Sequence, residues 1–125
     1  MSKSVLVVDD ERDCLELASI SLRLFGDWQV YQAINGEKAM KKAKSLIPDI
    51  ILLDYYLDDT NGGDLVKLLR AEPKLKHIPI LVYSGSPAAA KEDPNITEDI
   101  EVLAKPLNPE SLSDALHRLC KLEAQ

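Results

Sequence analysis

Four short apolar runs in this chain each stop on a residue able to do chemistry, and that recurrence limits what the chain can fold into. Val5–Val8 ends on Asp9-Asp10, Ile50–Leu53 on Asp54, Ile78–Tyr83 on Ser84, and Ile100–Ala104 on Lys105. Runs this short, bounded by turn residues, suit strands buried on both faces. A carboxylate inside a core is costly unless paired or coordinated. Asp54 is therefore expected where its strand emerges, at the edge of a sheet. The polar stretch Asp58 to Gly63 that follows reads as a loop into a helix.

Helical spacing fills the intervals. Arg12–Phe25 places Cys14, Leu15, Ala18, Leu22 and Phe25 on one side, and Gly26 closes it as a C-cap glycine. Gln29–Ala33 is a short second strand. Residues 37–46 present Ala39, Met40, Ala43 and Leu46, and Pro48 stops them. Gly63–Ala71 presents Leu65, Val66, Leu68 and Leu69. Pro87–Asp93 holds two helical turns at most before Pro94, and 95–98 is loop. Asn108-Pro109 is a strong helix start, and Leu112, Ala115, Leu116, Leu119 and Leu122 form the last buried stripe. Strand and helix alternate five times. That order predicts an α/β fold, a doubly wound five-stranded parallel sheet with five helices on two faces. Residues 1–125 are expected to form a single domain.

Charge and apolar length exclude several functions. The net charge of −6 argues against nucleic acid, whose phosphates would repel the chain. The lysines between Lys38 and Lys44 sit at helical spacing and read as a solvated face. No apolar run approaches a membrane span, and Val5–Val8 is too short for a signal-peptide core, so a cytoplasmic location is expected. Cys14 and Cys120 have no metal-type spacing and read as small buried apolar residues.

In an open parallel sheet the carboxyl ends of the strands meet along one edge, where ligands bind. Asp9, Asp10, Asp54, Ser84 and Lys105 would all converge there. Asp9 to Glu11 can complement the dipole of the helix that follows, or hold a cation. Two carboxylates about 4 Å apart repel by roughly 4 kcal/mol at an effective dielectric near 20. Lys105 offsets one charge only. An oxygen-rich site of this kind suits Mg²⁺, whereas zinc would call for histidine or cysteine. A carboxylate nucleophile beside Mg²⁺ is the arrangement for an aspartyl-phosphate. Asp54 would attack, Lys105 would neutralise phosphoryl oxygens, and Ser84 would donate to them. No G-x-x-x-x-G-K-[ST] loop is present, so a P-loop nucleotide site is excluded.

Asp9-Asp10, Asp54, Asn61-Gly62, Ser84 and Lys105-Pro106, in this order, resemble the receiver domain of two-component response regulators over nearly the whole chain. The resemblance implies the flavodoxin-like sheet order 2-1-3-4-5. It implies that Asp54 accepts a phosphoryl group from a partner histidine kinase or histidine phosphotransfer protein. It further implies that Asp10, Asp54 and the backbone carbonyl of Tyr56 ligate Mg²⁺, with Asp9 acting through water and Lys105 pairing with the phosphoryl group. Phosphorylation would shift the face formed by helix 4, strand 5 and helix 5 toward an unknown downstream protein. On this reading the chain is no enzyme beyond catalysing its own phosphorylation and slow dephosphorylation.

Four positions depart from the family pattern. Val102 stands where an aromatic switch residue is usual, and Asp58 where proline is common. Gly85 follows Ser84 in place of alanine, and Pro94 cuts the fourth helix. Tyr56 would either shield the acyl phosphate from water or lie on the surface. His77 and His117 read as surface histidines. Two other classes compete. One is a phosphorylation-independent adaptor, which Val102 and Pro94 favour. The other is a dehalogenase-like phosphatase, which would need a second acid where Tyr56 stands.

Overall fold

The computed structural model describes residues 3–106 and 108–124, the last three by their backbone alone. The elements follow the expected alternation: β1 (Lys3–Val8), α1 (Arg12–Phe25), β2 (Trp28–Ala33), α2 (Gly36–Leu46), β3 (Ile50–Asp54), α3 (Gly62–Ala71), β4 (Ile80–Ser84), α4 (Pro87–Glu92), β5 (Glu101–Ala104) and α5 (Pro109–Ala124). All four strand pairings are parallel, in the order β2-β1-β3-β4-β5.

The central strands carry side chains buried on both faces, so the sheet divides the core in two. On one side Val5, Val7, Leu52 and Leu81 pack against Leu15, Ala18 and Leu22 of α1 and Leu112, Ala115 and Leu116 of α5. On the other, Leu6, Val8, Leu53 and Val82 meet Ala39 and Ala43 of α2, Leu65, Val66 and Leu69 of α3, and Ala90 of α4. Apolar burial of this kind is the main stabilising term.

The expected cap at Asn108 forms, and two further asparagines cap helices in the same way. Asn35, Asn61 and Asn108 each accept a hydrogen bond from a backbone N–H in the first turn that follows, at 2.8, 2.9 and 3.0 Å. Asp59 adds a second cap to α2 by accepting from the N–H groups of Gly36 and Glu37. Those bonds hold its carboxyl below the usual range.

Several expectations are corrected. β4 begins at Ile80, because Pro79 has no N–H to give the ladder and Ile78 instead closes a turn onto Leu75. Phe25 is 56% exposed, since Trp28 fills the end of the α1–α5 core in its place. Leu68 is 52% exposed, lying about 100° around the helix from the Leu65–Val66–Leu69 side. Leu46, the last residue of α2, is 38% exposed. Cys120 is buried but Cys14 only half so. Gly26 ends α1 in extended backbone rather than the left-handed region. A Cβ there would come within 2.6 Å of the Trp28 ring and also overlap Ser113, which explains the glycine. The side chain of Leu122 lies outside the described residues.

Candidate functional site

The parallel register sets the site. Asp54 pairs with Tyr83 across β3–β4, and Ser84 pairs with Ala104 across β4–β5. The N–H of Lys105 continues that ladder onto the Ser84 carbonyl at 2.9 Å. Beyond β1, the N–H of Asp9 donates to the Ala33 carbonyl at 3.1 Å. Four strands thus deliver Asp9, Asp54, Ser84 and Lys105 to one edge.

Lys105 binds the cluster together. Its Nζ lies 3.1 Å from Asp9 Oδ2 and 3.3 Å from Asp54 Oδ2. Asp9 has no exposed surface and Asp54 only 5%. Buried charges of this kind persist only when paired. Asp9 Oδ1 accepts from the N–H of Glu11 at 2.9 Å, so the acid also closes the turn into α1. Burial and then the charge of Asp9 raise Asp54 to about 6, against the opposing pull of Lys105. Burial raises Asp10 too, followed by a hydrogen bond and charge repulsion from Asp58 and by repulsion from Asp9. Burial lowers Lys105, but its hydrogen bond to Asp9 and the charges of Asp54 and Asp9 outweigh this, keeping it above the ordinary range.

One oxygen each from Asp9, Asp10 and Asp54 lies within 4.8 Å of the others. The cluster carries three acids against one ammonium, with oxygen donors throughout. That donor set fits a hard divalent cation.

The remaining expected residues stand as follows. Ser84 is buried, and its Oγ accepts from the N–H of Ser86 at 3.0 Å rather than engaging Asp54. Tyr56 is 54% exposed, its ring edge-on to Tyr55 at 4.9 Å. Val102 is half-buried against the α2–α3–α4 side of the core. His77 is exposed, and His117 lies over Trp28 with ring centroids 4.4 Å apart.

Sequence reasoning missed Tyr83. It sits in an apolar run and reads as core, yet its hydroxyl donates to Asp9 Oδ2 at 2.5 Å. Its ring lies 4.5 Å beneath Lys105 Nζ. Burial and then the charge of Asp9 push this phenol far above its ordinary value. The signal available was its position, next to the strand-end serine in an otherwise aliphatic strand.

Residues 5–117 match the family described as the response regulator receiver domain. Among curated proteins, the chain is 30% identical over 117 residues to the phosphate regulon transcriptional regulatory protein PhoB of Pseudomonas aeruginosa, covering 90% of this chain and 49% of that protein. It is 29% identical over 91 residues to the polar-differentiation response regulator DivK of Brucella anthropi, covering 68% of each. Among solved structures, the chemotaxis response regulator CheY4 of Vibrio cholerae superposes with a TM-score of 0.84 at 28% identity, covering 95% of this chain and 99% of that one. The chain spans only a third to a half of the first curated relatives it matches. The sheet order, the acidic edge with its bridging lysine, and this match together make the chain a member of the response regulator receiver domain family of two-component signalling.

Proposed function

We propose that this chain is the phosphoacceptor of a two-component or phosphorelay pathway, and that Asp54 takes a phosphoryl group from a phosphohistidine on a partner histidine kinase or phosphotransfer protein. The observation that carries this reading is Lys105 Nζ bridging Asp9 and Asp54 at the sheet edge. An Asp54 that titrates at about 6 is ionised at neutral pH and available as a nucleophile. An Asp54 oxygen forms the new P–O bond while the P–N bond to the donor imidazole breaks, and the imidazole leaves with the electron pair. Lys105 moves from the carboxylates to a phosphoryl oxygen, and the Ser84 hydroxyl turns from its own loop to donate to another.

Asp10, Asp54 and the Tyr56 carbonyl would hold Mg²⁺ directly, with Asp9 through water, and the ion would supply charge neutralisation for the phosphoryl group. The chain catalyses its own phosphorylation and slow dephosphorylation and acts on no other substrate. Its output is a protein partner bound at the α4–β5–α5 face, not nucleic acid. We place it in the cytoplasm. Among the described residues no helix is long and apolar enough to cross a membrane.

Val102 and the six-residue α4 favour a second reading, an adaptor that binds partners without phosphorylation. A panel of autophosphorylated histidine kinases, with and without Mg²⁺, separates the two. Label appearing on the wild type but not on Asp54→Asn supports the phosphoacceptor. A wild type that takes up none from any kinase supports the adaptor.

A further inference from the structure

Tyr83 is buried to 1% exposure in a strand whose other members, Ile80, Leu81, Val82 and Ser84, are small or aliphatic. Packing alone would be served by phenylalanine. A phenol hydroxyl there must find a partner or bear the cost of desolvation. It finds Asp9 Oδ2, the same oxygen that holds Lys105. With the Glu11 N–H on Oδ1, three donors converge on a carboxylate that has no exposed surface.

Of those donors only the Lys105 ammonium is free to swing. On the phosphoacceptor reading it leaves Asp9 for a phosphoryl oxygen, which takes the one cationic donor from a buried carboxylate. The Tyr83 hydroxyl stays behind. The ring, 4.5 Å below Nζ, offers the ammonium a cation–π seat at the sheet edge. Without that seat the ammonium stands beside an apolar cavity of about 270 Å³, lined in part by Cys14, Leu17, Ala18 and Leu112.

Resting on the phosphoacceptor reading above, we propose that Tyr83 is a positioning residue for phosphoryl transfer. Its hydroxyl holds Asp9 when Lys105 departs, and its ring keeps Lys105 within reach of both the acids and the incoming group. The hydroxyl acts through Asp9 and Lys105 and does not touch the phosphoryl group.

The test is Tyr83→Phe, which keeps the ring and deletes one donor. The maximal rate of Asp54 phosphorylation should fall by about tenfold, the worth of one hydrogen bond to a charged group. Half-saturation by the donor should stay within about twofold, because the donor's own contacts are untouched. Mg²⁺ affinity, read by calorimetry without any phosphodonor, should rise by a few-fold as Asp9 Oδ2 loses a competing donor. An unchanged maximal rate together with unchanged Mg²⁺ affinity overturns the inference. A wild type that takes up no phosphoryl group overturns the underlying reading instead. Should Tyr83→Phe fail to fold, a fluorinated tyrosine placed at position 83 keeps the shape and strengthens the donor. The maximal rate must then rise with donor strength, and a rate that ignores it sinks the inference.

Discussion

Two buried tyrosines flank Asp54, one on each face of the sheet, and each donates its hydroxyl to an aspartate. Tyr83 reaches Asp9 on the α1–α5 side. Tyr55 reaches Asp93 Oδ2 at 2.6 Å on the α2–α3–α4 side. The chemistry is the same and the surroundings are opposite. Asp9 has no exposed surface and pairs with the Lys105 ammonium that also reaches Asp54. Asp93 is half-buried just past the end of α4 and also accepts from the N–H of Asn95. Burial and then Asp93 push the Tyr55 phenol up to about 12. The Asp93 carboxylate occupies the space where a Cβ on Gly63 would stand, which ties β3, α3 and α4 together. A phenol–carboxylate pair sealed from water becomes part of the acidic cluster at the sheet edge, whereas one at the rim becomes a fastener.

The largest effect should come from breaking the Tyr83 side at its shared cation. On the proposed mechanism, Lys105→Met should cut Asp54 phosphorylation by roughly a hundredfold, since the cation that would meet the phosphoryl group is lost. It should also destabilise the fold by about 3–5 kcal/mol, because two buried acids lose their partner. Transfer kinetics and urea unfolding check both, and loss of stability with full transfer would sever Lys105 from the chemistry.

Next comes the fastener. Gly63→Ala should cost about 1–3 kcal/mol by driving its methyl into Asp93. Tyr55→Phe should cost about 1 kcal/mol, less than a sealed pair, because the Asp93 carboxylate can rehydrate. Together they should cost less than the sum, since both break one contact. Strict additivity in denaturant titrations would mean that the contact is not shared.

A pH test separates the sealed pair from the rim. Folding raises Asp54 from 3.8 to about 6, so the folded state binds its proton more tightly than the unfolded state. That contribution is fully present below pH 4 and is lost as pH rises through about 6. Metal-free Asp54→Asn, which carries no charge at any pH, should therefore melt above the wild type at pH 8. The difference should vanish near pH 4. An Asn variant that melts lower at pH 8 would mean that the ion pair outweighs burial.

The smallest expected effect lies at Tyr56, whose ring is half exposed. Tyr56→Ala should speed loss of the acyl phosphate by no more than a few-fold, followed by the decay of label after donor removal. Equal decay rates would leave the ring as surface only.

Much of this could be read in the sequence because parallel strands put chemistry at their ends. Asp9, Asp54, Ser84 and Lys105 follow apolar runs, and the topology brings them to one edge. Element boundaries were legible wherever a recognised cap or breaker marked them, as at Asn108 and Pro48. Ile78 failed that test because an apolar residue before proline reads as strand. Tyr83 and Tyr55 were hidden for a different reason. Their partners lie 74 and 38 residues away, and an aromatic in an apolar run looks like packing. The capping of α2 by Asp59 is likewise a long-range bond without a local pattern.

The most direct test of the account is the mass of the intact protein after incubation with a phosphorylated donor and Mg²⁺, followed by mapping of the modified peptide. One added phosphoryl group on Asp54, absent in both Asp54→Asn and Asp54→Glu, is the predicted result. A phosphoryl group on any other residue, or an unmodified protein under conditions where the donor is consumed, would contradict it.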